Sequence, residues 1–280
     1  MNGTTRKLTL AHSPDSDDAF MFWALAKGFI IPNGLEFEHT LSDIQSLNQA
    51  ALHGAYDITA ISVHAYPYVA RNYALLNVGA SVGDGYGPIV VSRTPFNITE
   101  LNNKTVAIPG SLTTASLVLR LALPGVRTEE LAFDKIIDTV RAGKVDAGVI
   151  IHEGQITYKD FGLYNVLDLG AWWKDETGLP LPLGANAIKK TLEPETMSAA
   201  AGAIRESIRY GFNHRKDGIG YAVDFGRNLK TEKVDEFVSM YVNDFTLDWG
   251  ETGRKAVREL LKRGADAGIV PVIDNIEFVG

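Results

Sequence analysis

The sequence predicts an α/β protein of two lobes with a helical C-terminal segment. Two blocks of short apolar strands alternating with helical patterns predict the lobes, one over residues 7–73 and one over residues 83–152. Such alternation implies parallel pairing, with helices covering the sheet faces. From Glu193 onward the pattern is helical with no strand between, which predicts a cap on one or both lobes.

In chain order, Lys7–Ala11 (KLTLA) alternates and stops at the turn signal Ser13-Pro14-Asp15, so it reads as a strand. Asp17 or Asp18 is placed to cap the next helix, AFMFWALAKG, which closes at Gly28. Leu35–His39 (LEFEH) is a second strand, and Ser42 opens a helix closed by Gly54. Asp57–Ile61 (DITAI) is a third strand, leading into a helix through SVHAYPYVARNY. In the second block an apolar strand comes after the glycines of GDGYGPIVVS, and Thr105–Ile108 (TVAI) is another. PGSLTTASLVLRLAL turns into a helix, and Ala132–Phe133 is a weak strand signal. Asp134–Gly143 reads as a helix and Val145–Ile151 (VDAGVII) as a buried strand, with His152 directly after it. Together these suit the two-lobed, type II-like periplasmic-binding-protein fold. The chain is expected to leave lobe 1 near Gly87 and return near Gly184. Residues 1–87 and 187–280 then form lobe 1 with the C-terminal helices, and residues 88–186 form lobe 2. Ligands of such folds bind between the lobes, at carboxyl ends of strands and helix N-termini.

Composition narrows the function classes. A chain of 280 residues with 45% hydrophobic and 22% charged residues is an ordinary globular protein able to bury its own core. The absence of cysteine removes disulfides, thiolate nucleophiles and Cys-based metal sites. A net charge of −7 with no basic run argues against nucleic acid as a partner. The N-terminal segment, broken by Thr, His and acids, does not read as a signal peptide, and no run approaches the roughly 20 apolar residues of a membrane span. The expected location is cytoplasmic, with no membrane partner; the oligomeric state is not readable.

Five segments can carry chemistry. Ser13–Phe20 (SPDSDDAF) lies between a strand and a helix, where free N–H groups suit an anion. Ser13 and Asp18 are candidates there, although the acids can equally be caps and would repel a carboxylate. Ala60-Ile61-Ser62 ends the third strand; Ser62 can meet a ligand, cap the helix after it, or do both. Gly110–Thr114 (GSLTT) offers the Thr113 and Thr114 hydroxyls and helix N–H groups as an anion cradle, or as plain capping, and is not a Walker loop because no GK[ST] is present. His152, at a strand end beside Glu153, suits a general base or a structural hydrogen bond. Trp172 and Trp173 in LGAWWKDETGLPLPLG can line an aromatic pocket or pack between lobes. No nucleophile elbow, dinucleotide fingerprint or metal-ligand spacing is present, so no cofactor and no metal are expected.

Five segments in matching order resemble the 1,4-dihydroxy-6-naphthoate synthase family: ISVHAY, PGSLTTA, GVIIHEGQITY, LGAWWKDETGLPLPLG and YVNDFTLDWGETG. The resemblance implies a periplasmic-binding-protein-like enzyme of the futalosine route to menaquinone. It implies cleavage of cyclic dehypoxanthine futalosine without metal or organic cofactor, with a carboxylate-bearing small molecule as the partner. By the same resemblance His152 is the proton acceptor, Thr113 and Thr114 a substrate-binding pair, and Ser62 the end of a binding segment. The chain departs where the family usually reads SPCPNDT and this sequence reads SPDSDDA, and at Ala60, where the family often has Lys. Losing a cation and gaining acids is expected to weaken binding of an anionic substrate. Three other functions remain open on the sequence: a non-enzymatic solute-binding protein, a chorismate dehydratase, or a relative acting on another aromatic carboxylate.

Overall fold

A computed structural model describes residues 5–280. Residues 1–4, part of the expected first lobe and of the N-terminal segment read against a signal peptide, lie outside the described residues. Among the described residues two sheets form. One contains β1 (Arg6–His12), β2 (Leu35–Leu41), β3 (Ile58–Ser62), β4 (Tyr73–Leu76) and β5 (Ser81–Gly83). The other contains β6 (Ile89–Ser92), β7 (Thr105–Ile108), β8 (Arg127–Glu130), β9 (Ala147–Ile150) and β10 (Tyr164–Asp168). The chain then returns to the first sheet through β11 (Leu181–Lys189) and ends there on β12 (Phe278–Val279).

The first sheet runs β12-β4-β11-β3-β1-β2, with β5 on β11; the second runs β10-β6-β9-β7-β8. The β1–β2, β1–β3, β7–β8 and β7–β9 pairs are parallel, as the alternation predicts. The returning strand β11 is antiparallel to β3, β4 and β5, and β6 is antiparallel to β9. Each sheet is therefore mixed. The expected boundary at residues 186/187 cuts β11: residues 181–186 pair within the first sheet, so the chain returns earlier than expected.

Several elements differ from expectation. The helix expected through SVHAYPYVARNY is a 3-10 turn, Val63–Ala65, and one α-turn, Tyr66–Val69, before β4 begins. Ala132–Phe133 is not a strand: β8 lies at Arg127–Glu130 and Phe133–Lys135 is a 3-10 turn. The C-terminal segment is helical but closes with β12, which pairs β4.

Burial explains the layers. Helix Ser16–Ala26 is buried on nearly every face, because it lies between the first sheet and helices Pro194–Asn213, Arg215–Ala222 and Thr231–Tyr241. The tryptophan pair serves the core. Trp173 is fully buried with its indole N–H donated to Pro180 O at 3.0 Å, and Trp172 packs against the same cluster. Neither faces the cavity between the lobes. Gly170 is required for a different reason: a Cβ there would lie 2.0 Å from the Tyr86 carbonyl, so only glycine lets Leu169–Thr177 press against the outgoing crossing at Gly87.

Candidate active site

The carboxyl end of β9 sets the first catalytic candidate. β9 is buried throughout, and the chain must turn sharply after Ile151 to enter the short helix Gly154–Thr157. His152 makes that turn with φ at +57°, a left-handed conformation uncommon for a residue with a Cβ. Its ring meets the Phe133 edge at 5.0 Å between centroids. Nδ1 lies 3.0 Å from Asp15 Oδ2, and Nε2 is buried with no hydrogen-bond partner among the described residues.

Asp15 comes from the loop after β1, which belongs to the first sheet. It is the N-cap residue of helix Ser16–Ala26, but its side chain caps nothing. Instead Oδ2 accepts from the Ser13 hydroxyl as well as facing His152, and Oδ1 pairs with Arg227. The second guanidinium nitrogen of Arg227 holds Glu153. Glu153 also accepts from the Ser16 hydroxyl at 2.6 Å and from the Ser16 N–H at 3.3 Å. Ser13 N–H donates to Asp18 Oδ2 at 2.7 Å. The Ser13 and Ser16 N–H groups are thus taken by the protein's own carboxylates rather than left for an external anion.

These contacts fix the charges. Burial works against the Asp15 charge, yet the facing His152, then Arg227 and the Ser13 hydroxyl, hold it below the usual carboxylate range. Burial also opposes charge on His152, but the Asp15 carboxylate prevails and raises the imidazole above its ordinary value. Burial, then the neighbouring Asp15, pushes Asp17 up to about 7. Burial, then Asp17, pushes Asp18 well above its ordinary value.

Opposite lies the turn after β7. Thr113 is the N-cap of helix Thr114–Ala122: its Oγ1 accepts from Ser116 N–H at 3.3 Å and donates to Gly110 O at 2.8 Å. Thr114 Oγ1 donates to Leu183 O at 2.6 Å and accepts from His64 N–H at 3.2 Å. Both hydroxyl protons are therefore committed, and the groups left for an anion are the first N–H donors of the helix. Ser62 does not cap the turn after it; Asn48 grips it, its Nδ2 donating to Ser62 Oγ at 3.0 Å and its Oδ1 accepting from Ser62 N–H at 2.8 Å.

All of these border one space. His152, Ser13, Asp18, Ala60, Ile61, Ser62, Thr113 and Thr114 line a single cavity between the sheets. Sequence reasoning missed its other walls. Gln155 and the Tyr241 hydroxyl pair at 2.6 Å, and Phe237, Asn186, Ser81 and Ile44 also border it. Among the described residues no lysine or arginine lines it, so a substrate carboxylate would depend on N–H donors. Arg227 stands behind the acids with both ends engaged. Tyr241 and Phe237 share a helix face, a pattern that periodicity shows but that does not reveal what it faces. Among the described residues no group of three His, Asp or Glu side chains is placed to hold a metal, and no helix is long and apolar enough to cross a membrane.

The fold and chain have clear relatives. A protein from Archaeoglobus fulgidus of known crystal structure superposes with a TM-score of 0.91 at 44% identity, over 94% of this chain and 98% of that one. The alkanesulfonate-binding protein of Xanthomonas axonopodis pv. citri, solved with MOPS, superposes at 0.72 with 11% identity, over 96% of each chain, which shows the periplasmic-binding-protein fold alone. A Thermus thermophilus 1,4-dihydroxy-6-naphthoate synthase is 38% identical over 94% of this chain and 95% of its own. The Streptomyces coelicolor enzyme of the same name is 37% identical over 95% of both. The model of the menaquinone-biosynthesis family matches residues 8–266. This chain therefore belongs to the menaquinone-biosynthesis family that includes the 1,4-dihydroxy-6-naphthoate synthases.

Proposed function

We propose that this protein is a 1,4-dihydroxy-6-naphthoate synthase, a carbon–carbon lyase acting on cyclic dehypoxanthine futalosine, with His152 as general base. The observation that carries this reading is that His152 lines the cavity between the sheets while its buried Nε2 has no hydrogen-bond partner among the described residues. A buried basic nitrogen without a partner is costly unless a ligand supplies one. A substrate hydroxyl fits that need.

The step is a retro-aldol cleavage. Nε2 takes the proton of a hydroxyl on the sugar-derived ring. The freed O–H electron pair becomes a carbonyl, and the adjacent carbon–carbon bond breaks. Its electrons pass onto a carbonyl of the bicyclic fragment as an enolate, the sugar-derived piece leaves as the new carbonyl compound, and the enolate takes the proton back from the His152 imidazolium as the fragment aromatises to the dihydroxynaphthoate. Aromatisation makes the cleavage favourable.

The cavity's other groups divide the remaining work. The helix N-terminus at Thr114 offers N–H donors and a favourable dipole to the substrate carboxylate. Ser62 and Asn186 offer polar contacts, and Ile44, Ile61, Leu183 and Phe237 supply apolar walls for the ring system. Asp18, held toward its neutral form, can donate to a sugar hydroxyl. Closure of the lobes around the ligand excludes water and fixes the reacting geometry.

The test is incubation of the protein with cyclic dehypoxanthine futalosine, tracking the naphthoate by mass spectrometry. Product formation that His152→Ala abolishes is the expected result. Turnover that survives within a few fold in the His152→Ala variant would remove His152 from the mechanism.

A further inference from the structure

We propose that Asp15 is the positioning residue of His152, and that it acts only when the two lobes are closed on each other. The proposal rests on His152 being the base. Asp15 lies in the loop after β1, on one lobe; His152 comes after β9, on the other. Their contact at 3.0 Å crosses the cleft.

The environment of Asp15 makes it an acceptor and little else. Its side chain is 2% exposed. Oδ2 takes the Ser13 hydroxyl and faces His152 Nδ1, while Oδ1 takes Arg227. A carboxylate gripped on both oxygens has one orientation and stays ionised. Facing it, His152 must carry its proton on Nδ1, which leaves Nε2 bare for the substrate. The same anion then stabilises the imidazolium formed when Nε2 takes a proton. This is the logic by which a buried carboxylate orients the histidine of a catalytic triad.

The dependence on closure comes from the contacts that bridge the cleft. Arg227 joins Asp15 to Glu153, the residue next to the base. Ser16, next to Asp15, joins Glu153 directly. Asp15–His152, Ser16–Glu153 and Arg227–Glu153 thus all bridge the lobes. When the lobes part, His152 loses the acceptor that selects its tautomer. Substrate-driven closure and assembly of a competent base become one event. The charged groups facing His152 are Asp15 from the loop, Asp17 and Asp18 from the adjoining helix, Glu153 beside it and Arg227 from the C-terminal segment. Asp15 is the one in hydrogen-bond contact with the ring.

Two measurements on the full-length protein test this. Imidazole ¹⁵N NMR with the naphthoate bound is expected to show His152 protonated at Nδ1 and bare at Nε2, above its pKa. The opposite tautomer would overturn the proposal without any variant. In turnover of cyclic dehypoxanthine futalosine, Asp15→Asn is expected to lower kcat by about a hundredfold to ten-thousandfold. KM should change far less. The acid limb of the kcat profile should move to lower pH, because removing the anion lets the imidazole lose its proton more easily. Asp15→Glu keeps the charge, so the limb should stay near its original position. A kcat within threefold for Asp15→Asn, with an unmoved acid limb, overturns the proposal. If Asp15→Asn does not fold, the tautomer and the Asp15→Glu profile decide. Loss of turnover in His152→Ala beside full turnover in Asp15→Asn would sink the positioning role alone. Turnover in both variants would sink the reading of His152 as the base.

Discussion

Ser16 and Glu153 meet across the cleft, with the Ser16 hydroxyl donating to Glu153 Oε1 at 2.6 Å. They are 137 residues apart, and Glu153 is 4% exposed. A buried carboxylate survives only where charge or hydrogen bonds compensate its lost hydration. Here Ser16 and Arg227, both from the other side of the cleft, supply that compensation. Glu153 is therefore stable when the lobes are shut and can rehydrate when they part.

Glu153→Gln should accordingly weaken closure more than folding. The amide keeps the shape but gives up a charge-assisted bond, which is worth about 1.5–3 kcal/mol. The expected result is a KM raised about tenfold or more, since every 1.4 kcal/mol is a factor of ten. Small-angle scattering of the ligand-free variant should show a more open average shape. An unchanged KM together with an unchanged scattering curve would contradict the latch.

Asn48 makes a second prediction, on the lobe 1 wall. Its side chain is fully buried and bonds Ser62 through both its oxygen and its nitrogen. Asn48→Ala leaves the buried Ser62 N–H and hydroxyl without those partners, at a cost of about 1–3 kcal/mol. Urea unfolding should record that loss. KM should also rise, because Ser62 borders the cavity. Stability unchanged within 0.5 kcal/mol would show that the pair contributes nothing; surface-like substitutions commonly fall within about that range.

Much of this arrangement is legible in the chain. VDAGVII is apolar apart from Asp146 and reads as a buried strand, so the residue after it must sit at a strand's carboxyl end, and His152 does. GSLTT reads as a helix start, and Thr113 is the N-cap. Partnership across the fold is not legible. Nothing local says that Asp15 faces His152 rather than capping its own helix, because the ion pair depends on how two sheets dock. Arg227 carries no signal at all: it lies between helices in an exposed-looking stretch, yet its left-handed φ of +49° sits at the turn from which it reaches both acids. The start of the returning strand β11 is hidden for a related reason. LPLGANAIK carries Pro and Gly early, which argue for a loop, while its pairing with β3, β4 and β5 overrides that preference.

The buried histidines predict acid sensitivity. Burial, then the neighbouring His39, lowers His12 to about 3, and burial lowers His64 to about 4. Unfolded, each takes up a proton near pH 6.5. Between those values the unfolded chain binds more protons, so stability rises with pH and falls as pH drops below about 6.5. His64→Asn, able to keep a hydrogen bond to Thr113 O where Nδ1 now sits at 2.9 Å, should flatten part of that slope. Thermal melts at pH 5 and pH 7.5 measure it; an equal drop in Tm for variant and parent would count against the assignment.

Asp17 predicts the reverse slope. It lies in the first turn of helix Ser16–Ala26, where burial and Asp15 push it up to about 7. In the unfolded chain it ionises near 3.8. Between about pH 4 and pH 7 the folded protein therefore holds a proton that the unfolded chain has released. Stability from this group is present at low pH and is lost as pH rises through 7. Asp17→Asn has no proton to lose, and its amide oxygen can still accept from the Ser81 hydroxyl, now 3.4 Å from Asp17 Oδ2. The variant should gain on its parent as pH rises. Each pKa unit corresponds to about 1.4 kcal/mol, so the gap between them should widen by about 2–3 kcal/mol from pH 5 to pH 8. Urea titrations of both proteins at the two pH values give that difference directly. A gap of the same size at pH 5 and pH 8 would mean that Asp17 is ionised in the folded protein throughout, and that the cavity wall carries its full negative charge.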